Sequence, residues 1–197
     1  MSERTARIAR TTKETDIELS IDLDGTGTTD IETGIGFFDH MLTAFGRHGL
    51  FDLSVRAKGD LEVDGHHTVE DIGIVAGQAF ARALGDKRGI RRFGSIALPM
   101  DEALILAAVD ISGRGQLFWD ADVPAVMVGS FVATLAKDFF IAFAANAGVT
   151  LHIRELAGEN THHVIEGMFK AVARAMRQAV EADPRMGDAL PTTKGAL

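Results

Sequence analysis

The residues best suited to chemistry form a short pattern that occurs twice in the chain. The pattern H-H-x-x-E occupies His66–Glu70 and occurs again at His162–Glu166, and it contains four of the seven histidines. On a helix, residues three or four apart share a face, whereas consecutive residues point about 100° apart. Each glutamate therefore lies beside two imidazoles that diverge. This geometry predicts ligands for two different metal ions rather than chelation of one.

The ligand types restrict the metal. Imidazole and carboxylate without sulfur suit Mn²⁺, Fe²⁺ or Zn²⁺. A single H-H-x-x-E is more often a solvated helix start, but its repetition at matching places favours a metal site. His40 follows Asp39 in an otherwise apolar segment, so it forms either a buried hydrogen-bonded pair or a further ligand. His48 beside Gly49 fits the negative end of a helix dipole.

Several cations lie beside glycines or small hydroxyl residues, a setting that suits phosphate binding. Arg92 follows Arg91 at a predicted turn, Arg114 lies within Ser112–Gly115, and Lys194 lies in the Thr-Thr-Lys tail. Each of these alone is more often simple surface charge. Lys170 differs because it lies one helical turn beyond Glu166, so it shares a face with the second pattern.

Composition narrows the class of protein. The net charge is −8, which argues against a nucleic-acid-binding protein, and the chain has no cysteine. The longest apolar stretches, such as Ala103–Val109, are too short for a membrane span. The charged N-terminus lacks an apolar signal segment. We therefore expect a cytoplasmic globular protein with no membrane or nucleic-acid partner.

Hydrophobic periodicity predicts the elements that must position these residues. Ile17–Leu23 is predicted as a strand that enters a hairpin at Asp24–Gly27, and Leu61 and Val63 as part of another strand. Helices are predicted at Phe37–Phe45, His66–Leu84, Phe131–Ala147 and Val164–Val180, and further strands at Phe51–Ala57, Ala103–Ile111, Gln116–Trp119 and Val149–Ile153.

The order of elements indicates an internal duplication. Both H-H-x-x-E patterns open a helix after a strand, and the segment around Phe37–Phe45 corresponds to that around Leu135–Phe143. We predict one compact unit with two similar halves, approximately 1–90 and 91–183, and a C-terminal tail, 184–197. The fold class is α+β, with helices packed between two β-sheets.

From Arg10 to Leu197 the chain resembles the imidazoleglycerol-phosphate dehydratase family. The resemblance rests on seven motifs that occur in one order: GIGFFDHML (Gly34–Leu42), HHTVED (His66–Asp71), PMDEAL (Pro99–Leu104), VDISGRG (Val109–Gly115), HHVIE (His162–Glu166), FKAVARA (Phe169–Ala175) and PTTKG (Pro191–Gly195). It implies conversion of D-erythro-imidazole-glycerol phosphate to imidazole-acetol phosphate and water in histidine biosynthesis. It also implies ribosomal protein S5 domain 2-like halves, two Mn²⁺ per active site and a homo-oligomer of 24 subunits.

The resemblance assigns roles to individual positions. Those implied to bind metal are His40, His66, His67, Glu70, Asp138, His162, His163 and Glu166. Glu14 falls on the acid/base position. The predicted catalytic set therefore comprises Glu14 and seven of these ligands: His40, His66, His67, Glu70, His162, His163 and Glu166. The predicted substrate- and phosphate-binding set comprises Glu14, His48, Arg92, Arg114, Lys170, Thr192, Thr193 and Lys194. The tail is thereby expected to become ordered over the substrate.

The chain departs from the family pattern at three positions. Thr192 replaces a usual serine, and Gly115 replaces a usual proline. Asp138 stands where many members have a metal-binding histidine, and the shorter reach of aspartate leaves room for a water between it and the metal. An acid in an otherwise apolar helix needs a partner, which favours direct or water-bridged ligation over a purely structural role. Two other classes remain open at this point: a dimetal phosphate-ester hydrolase and a non-catalytic metal-binding shell protein.

Overall fold

The computed structural model describes residues 4–195 and 197, which form ten strands and four helices. The strands are β1 (Thr5–Thr11), β2 (Thr15–Asp22), β3 (Thr29–Glu32), β4 (Asp52–Gly59), β5 (Phe93–Met100), β6 (Ala103–Asp110), β7 (Gln116–Asp120), β8 (Met127–Val128), β9 (Phe131–Val132) and β10 (Thr150–Ala157). The helices are α1 (Gly36–Gly49), α2 (His66–Leu84), α3 (Leu135–Ala147) and α4 (Thr161–Val180). None of the helices in the described part of the chain has the length and apolar character needed to cross a bilayer.

The two halves have the same sheet topology. The first sheet has the order β1-β2-β4-β3 and the second the order β5-β6-β10-β7. In each sheet the last strand runs parallel to its neighbour and the other pairs are antiparallel. This agreement supports the predicted duplication and the α+β class, whereas the boundaries given for the halves and the tail stay a prediction.

The helices lie between the sheets and pack across the two halves. Helices α1 and α2 cover the first sheet, while α3 and α4 cover the second. Across the middle layer α1 packs on α4 and α2 packs on α3. Glycines permit the closer of these contacts, because a Cβ atom at Gly77 would lie 2.6 Å from the carbonyl oxygen of Phe143. The central layer is filled by buried rings, among them Phe38, Phe139, Phe143 and Phe169.

Strand registers align the halves residue by residue. Thr11 pairs with Asp16 across the first hairpin, as Pro99 pairs with Leu104 across the equivalent hairpin of the second half. The turns that follow β1 and β5 therefore correspond, and Glu14 is matched by Glu102.

The predicted hairpin after Ile17–Leu23 is wrong. Strand β2 pairs with β1 and β4, and β3, which follows the turn, runs parallel to β4. A side chain holds the turn in this path: the Asp52 carboxylate at the start of β4 accepts the backbone N–H groups of Thr26 and Thr28, each at 2.8 Å. A contact between residues so distant in sequence is invisible to local periodicity.

Other element predictions also differ from the structure. The strand predicted at Leu61 and Val63 is a turn in which Val63 is 67% exposed, because that short alternation has no neighbouring strand. The helix predicted from Phe131 begins at Leu135, and Phe131–Val132 forms β9 instead. Strands β1 and β5 were not predicted, because exposed residues alternate with few fully buried ones along both of them.

Candidate metal and substrate site

Helices α1 and α4 bring three potential ligands to one point. His40 Nε2 lies 3.3 Å and His162 Nε2 lies 3.1 Å from Glu166 Oε2. One ligand atom from each residue falls within 4.8 Å of the other two. Two imidazole nitrogens and a carboxylate oxygen suit a first-row divalent ion, so the residues fit the metal implied by the sequence. His40 comes from the first half and the other two residues from the second.

The second carboxylate oxygen of Glu166 is occupied by Lys170. Lys170 Nζ lies 2.6 Å from Glu166 Oε1, and both side chains are largely buried. Burial raises the pKa of Glu166, but the hydrogen bond and charge of Lys170 outweigh it, with help from His40, and hold the pKa below its ordinary value. The carboxylate is therefore anionic at neutral pH and available as a ligand.

His48, at the C-terminal end of α1, lies near the same cations. Burial lowers its pKa, and the charges of Lys170 and Arg174 lower it further. The imidazole is therefore neutral at pH 7 and can donate or accept a hydrogen bond. Of the predicted phosphate-binding residues, Lys170 is one whose charge acts on His48.

A matching cluster lies between α2 and α3. His66 Nε2 is 3.8 Å from Glu70 Oε2, and His66 Nδ1 is 3.8 Å from Asp138 Oδ2. The three residues correspond to His162, Glu166 and His40 of the first cluster. However, His66 presents opposite ring nitrogens to its two carboxylates, so these groups do not converge on one point as those of the first cluster do.

The second histidine of each pattern is oriented by a carboxylate. His67 Nδ1 lies 3.0 Å from Asp60 Oδ2, and His163 Nδ1 lies 2.7 Å from Glu102 Oε2. Each hydrogen bond raises the pKa of its histidine, and the bond to His163 is the main cause that lowers the pKa of Glu102 to about 2. A carboxylate on Nδ1 leaves Nε2 as the ligand atom, an arrangement common around metal-binding histidines.

Asp60 and Glu102 were not predicted as site residues. Both lie in turns at the ends of strands, where polar residues carry no periodic signal. The available signal was the duplication itself, because Glu102 occupies the turn that corresponds to the turn of Glu14.

Glu14 lies close to this second group of residues. Its Oε1 is 3.9 Å from His67 Nε2, and its side chain is 54% exposed. The structure therefore brings a solvent-accessible carboxylate next to an imidazole that belongs to the first H-H-x-x-E pattern. This is a geometry in which Glu14 can exchange a proton with a bound molecule.

The predicted phosphate-binding arginines, Arg92 and Arg114, lie together around the carboxylate of Asp110. The Asp110 carboxylate accepts hydrogen bonds from Arg92 at 2.7 and 3.2 Å and lies 3.8 Å from Arg114 Nη2. The tail reaches this group, since Arg92 Nη1 donates to the Pro191 carbonyl oxygen at 2.8 Å. The remaining predicted tail residues follow directly: Thr192 is half-buried, and Thr193 and Lys194 are exposed.

One chain does not bring the predicted phosphate-binding arginines to the histidines. Arg92 directly precedes β5, whereas Glu102, the partner of His163, lies just beyond its other end. The seven steps between the first and last residues of β5 span about 24 Å, at about 3.4 Å per step. The arginine cluster and the histidine clusters therefore lie at opposite ends of the second sheet.

Comparisons with known proteins identify the family. A family model described as imidazoleglycerol-phosphate dehydratase matches residues 33–176. An imidazoleglycerol-phosphate dehydratase of Acidiphilium cryptum is 62% identical over 98% of this chain and 99% of its own length. One of Roseobacter denitrificans is 60% identical over 98% of this chain and 100% of its own length.

Solved structures show the same fold. The imidazoleglycerol-phosphate dehydratase of Staphylococcus aureus is 41% identical, with a TM-score of 0.82 over 91% of this chain and 99% of that one. The enzyme of Pyrococcus furiosus is 39% identical, with a TM-score of 0.82 over 96% of this chain and 100% of that one. Fold and relatives together define the class as a hydro-lyase. The chain belongs to the imidazoleglycerol-phosphate dehydratase family.

Asp138 offers a test of the ligand set. If Asp138 binds metal, directly or through water, Asp138→Ala should weaken one of two bound metals and leave the other unchanged. Asp138→His should restore strong binding and shift preference from Mn²⁺ towards Zn²⁺, because imidazole suits Zn²⁺ better than carboxylate does.

Metal titration with quantification of bound ions measures both effects. Lys137→Ala is the matched control, because adjacent helical residues point about 100° apart. Unaltered stoichiometry, affinity and selectivity in both Asp138 variants would refute the ligand role.

Proposed function

We propose that this chain converts D-erythro-imidazole-glycerol phosphate to imidazole-acetol phosphate and water in histidine biosynthesis. The observation that carries the proposal is the cluster of His40, His162 and Glu166, with Lys170 beside it, in a chain of this family. The alternatives of a phosphate-ester hydrolase and of a non-catalytic metal-binding shell gain no support from the relatives. We assign the activity to the cytoplasm, in keeping with a biosynthetic enzyme.

The proposal includes two Mn²⁺ per active site. The residues that would hold them are His40, His66, His67, Glu70, Asp138, His162, His163 and Glu166. Bound there, Mn²⁺ would supply Lewis acidity toward the ring nitrogens of the substrate. The carboxylates of Asp60 and Glu102 keep His67 and His163 in the orientation that exposes Nε2.

Glu14 is proposed as the acid/base residue. The reaction removes a proton from C2 of the glycerol chain and hydroxide from C3, which together make water and leave an enol that becomes the ketone. Glu14 takes the C2 proton, since it is an exposed carboxylate beside His67. The phosphate, held remotely by Arg92, Arg114, Lys194 and the tail threonines, fixes the reacting carbons relative to that carboxylate.

We propose that copies of the chain share each active site, in a homo-oligomer of 24 subunits. The support is the separation of the arginine cluster from the histidine clusters by the length of β5. Lys170 lies beside the histidines of the same copy but is already paired with Glu166. We therefore expect arginines of a neighbouring copy to bind the phosphate of a substrate held at those histidines. Sites at subunit contacts would also explain why His163 faces Glu102 instead of joining the cluster of His40, His162 and Glu166.

The outer faces of the two sheets support this assembly. On the first sheet, outward residues such as Asp16, Glu18 and Arg56 are charged. On the second sheet, Leu104 and Leu106 occupy the positions that match Asp16 and Glu18. The outer face of the second sheet also carries the exposed side chains of Phe93, Phe118 and Leu156. Copies of a chain with net charge −8 associate more readily through the less charged face.

A product assay with a base variant tests the activity. Purified protein with Mn²⁺ and imidazole-glycerol phosphate should yield imidazole-acetol phosphate, identified by mass with its phosphate retained. Release of inorganic phosphate instead would favour a hydrolase.

Glu14→Gln should lower kcat by about 10²–10⁴ with metal content and KM largely unchanged, the usual effect of removing a positioned acid/base group. Turnover near that of the wild type would move this role to another residue.

A second experiment tests the assembly face. Leu106→Lys should produce smaller particles, because it replaces an apolar side chain with a charge on the less charged outer face of the second sheet. Glu18→Lys, at the matching position of the first sheet, is the control and should leave the particle mass unchanged. Mass photometry or light scattering with Mn²⁺ present measures both. Full-size particles from the Leu106 variant would contradict this choice of face.

A further inference from the structure

The turn that carries Glu14 is tightly organised from within. Thr12 N–H donates to the Thr15 carbonyl oxygen at 2.8 Å, closing the turn between β1 and β2. Thr12 Oγ1 accepts the backbone N–H groups of Glu14 at 3.1 Å and of Thr15 at 3.0 Å. The backbone of Glu14 is therefore fixed, although its side chain is exposed.

The same turn is bound to helix α2 through a buried carboxylate. Thr15 Oγ1 donates to Asp71 Oδ2 at 2.5 Å, and Arg10 Nε and Nη2 each lie 3.1 Å from Asp71 Oδ1. Thr15 and Asp71 are both buried. Arg10 and Thr15 flank the turn on its two strands, so Asp71 is bonded to both sides of the turn.

A further contact relates the turn to His67. The Asp60 N–H donates to the Glu14 carbonyl oxygen at 3.1 Å, and the Asp60 carboxylate orients His67. Asp71 follows Glu70 on the same helix. The turn, His67 and the first H-H-x-x-E pattern thus form one connected unit.

The second half of the molecule provides an internal comparison. At the positions that match Arg10, Thr15 and Asp71 it has three residues without polar side chains: Leu98, Ala103 and Gly167. Glu102, the counterpart of Glu14, is held directly, by His163 and by the backbone N–H of Asn160 at 2.9 Å. Since the equivalent hairpin forms with none of the three polar residues, the fold itself does not require them.

A buried carboxylate is costly unless it is paired. The carboxylate of Asp71 has no counterpart at the matching position of the second half, Gly167, so its presence calls for a reason beyond packing. We propose that Asp71 is a positioning residue for Glu14: through Thr15 and Arg10 it fixes the turn so that the Glu14 carboxylate lies at its working distance from the substrate. This inference rests on the proposed acid/base role of Glu14. Asp71 itself touches no reacting atom.

The first test is Thr15→Val, which keeps the shape of the side chain and removes the hydroxyl that binds Asp71. We expect kcat to fall by about 10- to 100-fold, as when a catalytic group is displaced by about 1 Å, with KM and bound metal unchanged. Thr15→Ser should restore kcat, because it restores the hydroxyl. Thr11→Val is the matched control and should keep kcat, since Thr11 Oγ1 bonds only the exposed Asp16 on the same hairpin.

A double-mutant cycle decides whether the effect acts through Glu14. In a Glu14→Gln background, Thr15→Val should cause no further loss of kcat, because the carboxylate being positioned is gone. An equal loss in both backgrounds would overturn the positioning role and indicate a general structural effect. If Thr15→Val does not fold, Arg10→Gln replaces it in the double-mutant cycle. This variant removes the ion pair between Arg10 and Asp71 but keeps the hydrogen bond between Thr15 and Asp71.

The double-mutant cycle tests the positioning role of Asp71 separately from the acid/base role of Glu14. Glu14→Gln is measured alone first, and turnover near that of the wild type would refute the acid/base role and overturn the positioning role with it. A large loss for Glu14→Gln with no loss for Thr15→Val would overturn the positioning role alone. Retained product identity and metal content in every variant would leave the dehydratase activity standing.

Discussion

The packing of α1 against α4 and of α2 against α3 is the interaction on which both histidine clusters depend. Each pair joins helices from different halves, so each cluster is a contact between the halves: His40 reaches Glu166 and Asp138 reaches His66. The close approach of α2 and α3 needs glycine, because a side chain at Gly77 would collide with the backbone of α3. The proposed ligands are therefore preorganised by the same buried layer that stabilises the fold.

The two halves have the same topology but differ in the side chains at matching positions. The hairpin-turn glutamates show this most clearly, because Glu102 orients His163 whereas Glu14 stays exposed on a turn bound to Asp71. The outer sheet faces diverged as well, charged in the first half and more apolar in the second. The two halves thus both provide proposed metal ligands, whereas the proposed base comes from one half and the proposed assembly face from the other.

Local patterns predicted the elements that have a strong hydrophobic periodicity. The bounds of α2 follow from its apolar stripe, and the two H-H-x-x-E patterns indicated the duplication and both clusters. Contacts between distant residues escaped prediction: the Asp52 carboxylate that redirects the chain into β3, and Asp60, which orients His67. Such residues lie in turns, where a single polar side chain carries no periodicity and its partner is fixed only by the folded topology.

We propose that each active site needs residues from more than one copy of the chain. Co-expression of Glu14→Gln chains with Arg114→Ala chains, carrying different tags for purification of mixed particles, tests it directly. If Glu14 and Arg114 of one site come from different copies, about a quarter of the sites in an equal mixture contain both native residues. Mixed particles should then show about a quarter of wild-type turnover, far above that of either variant alone. Turnover no higher than that of the better single variant would contradict the shared site.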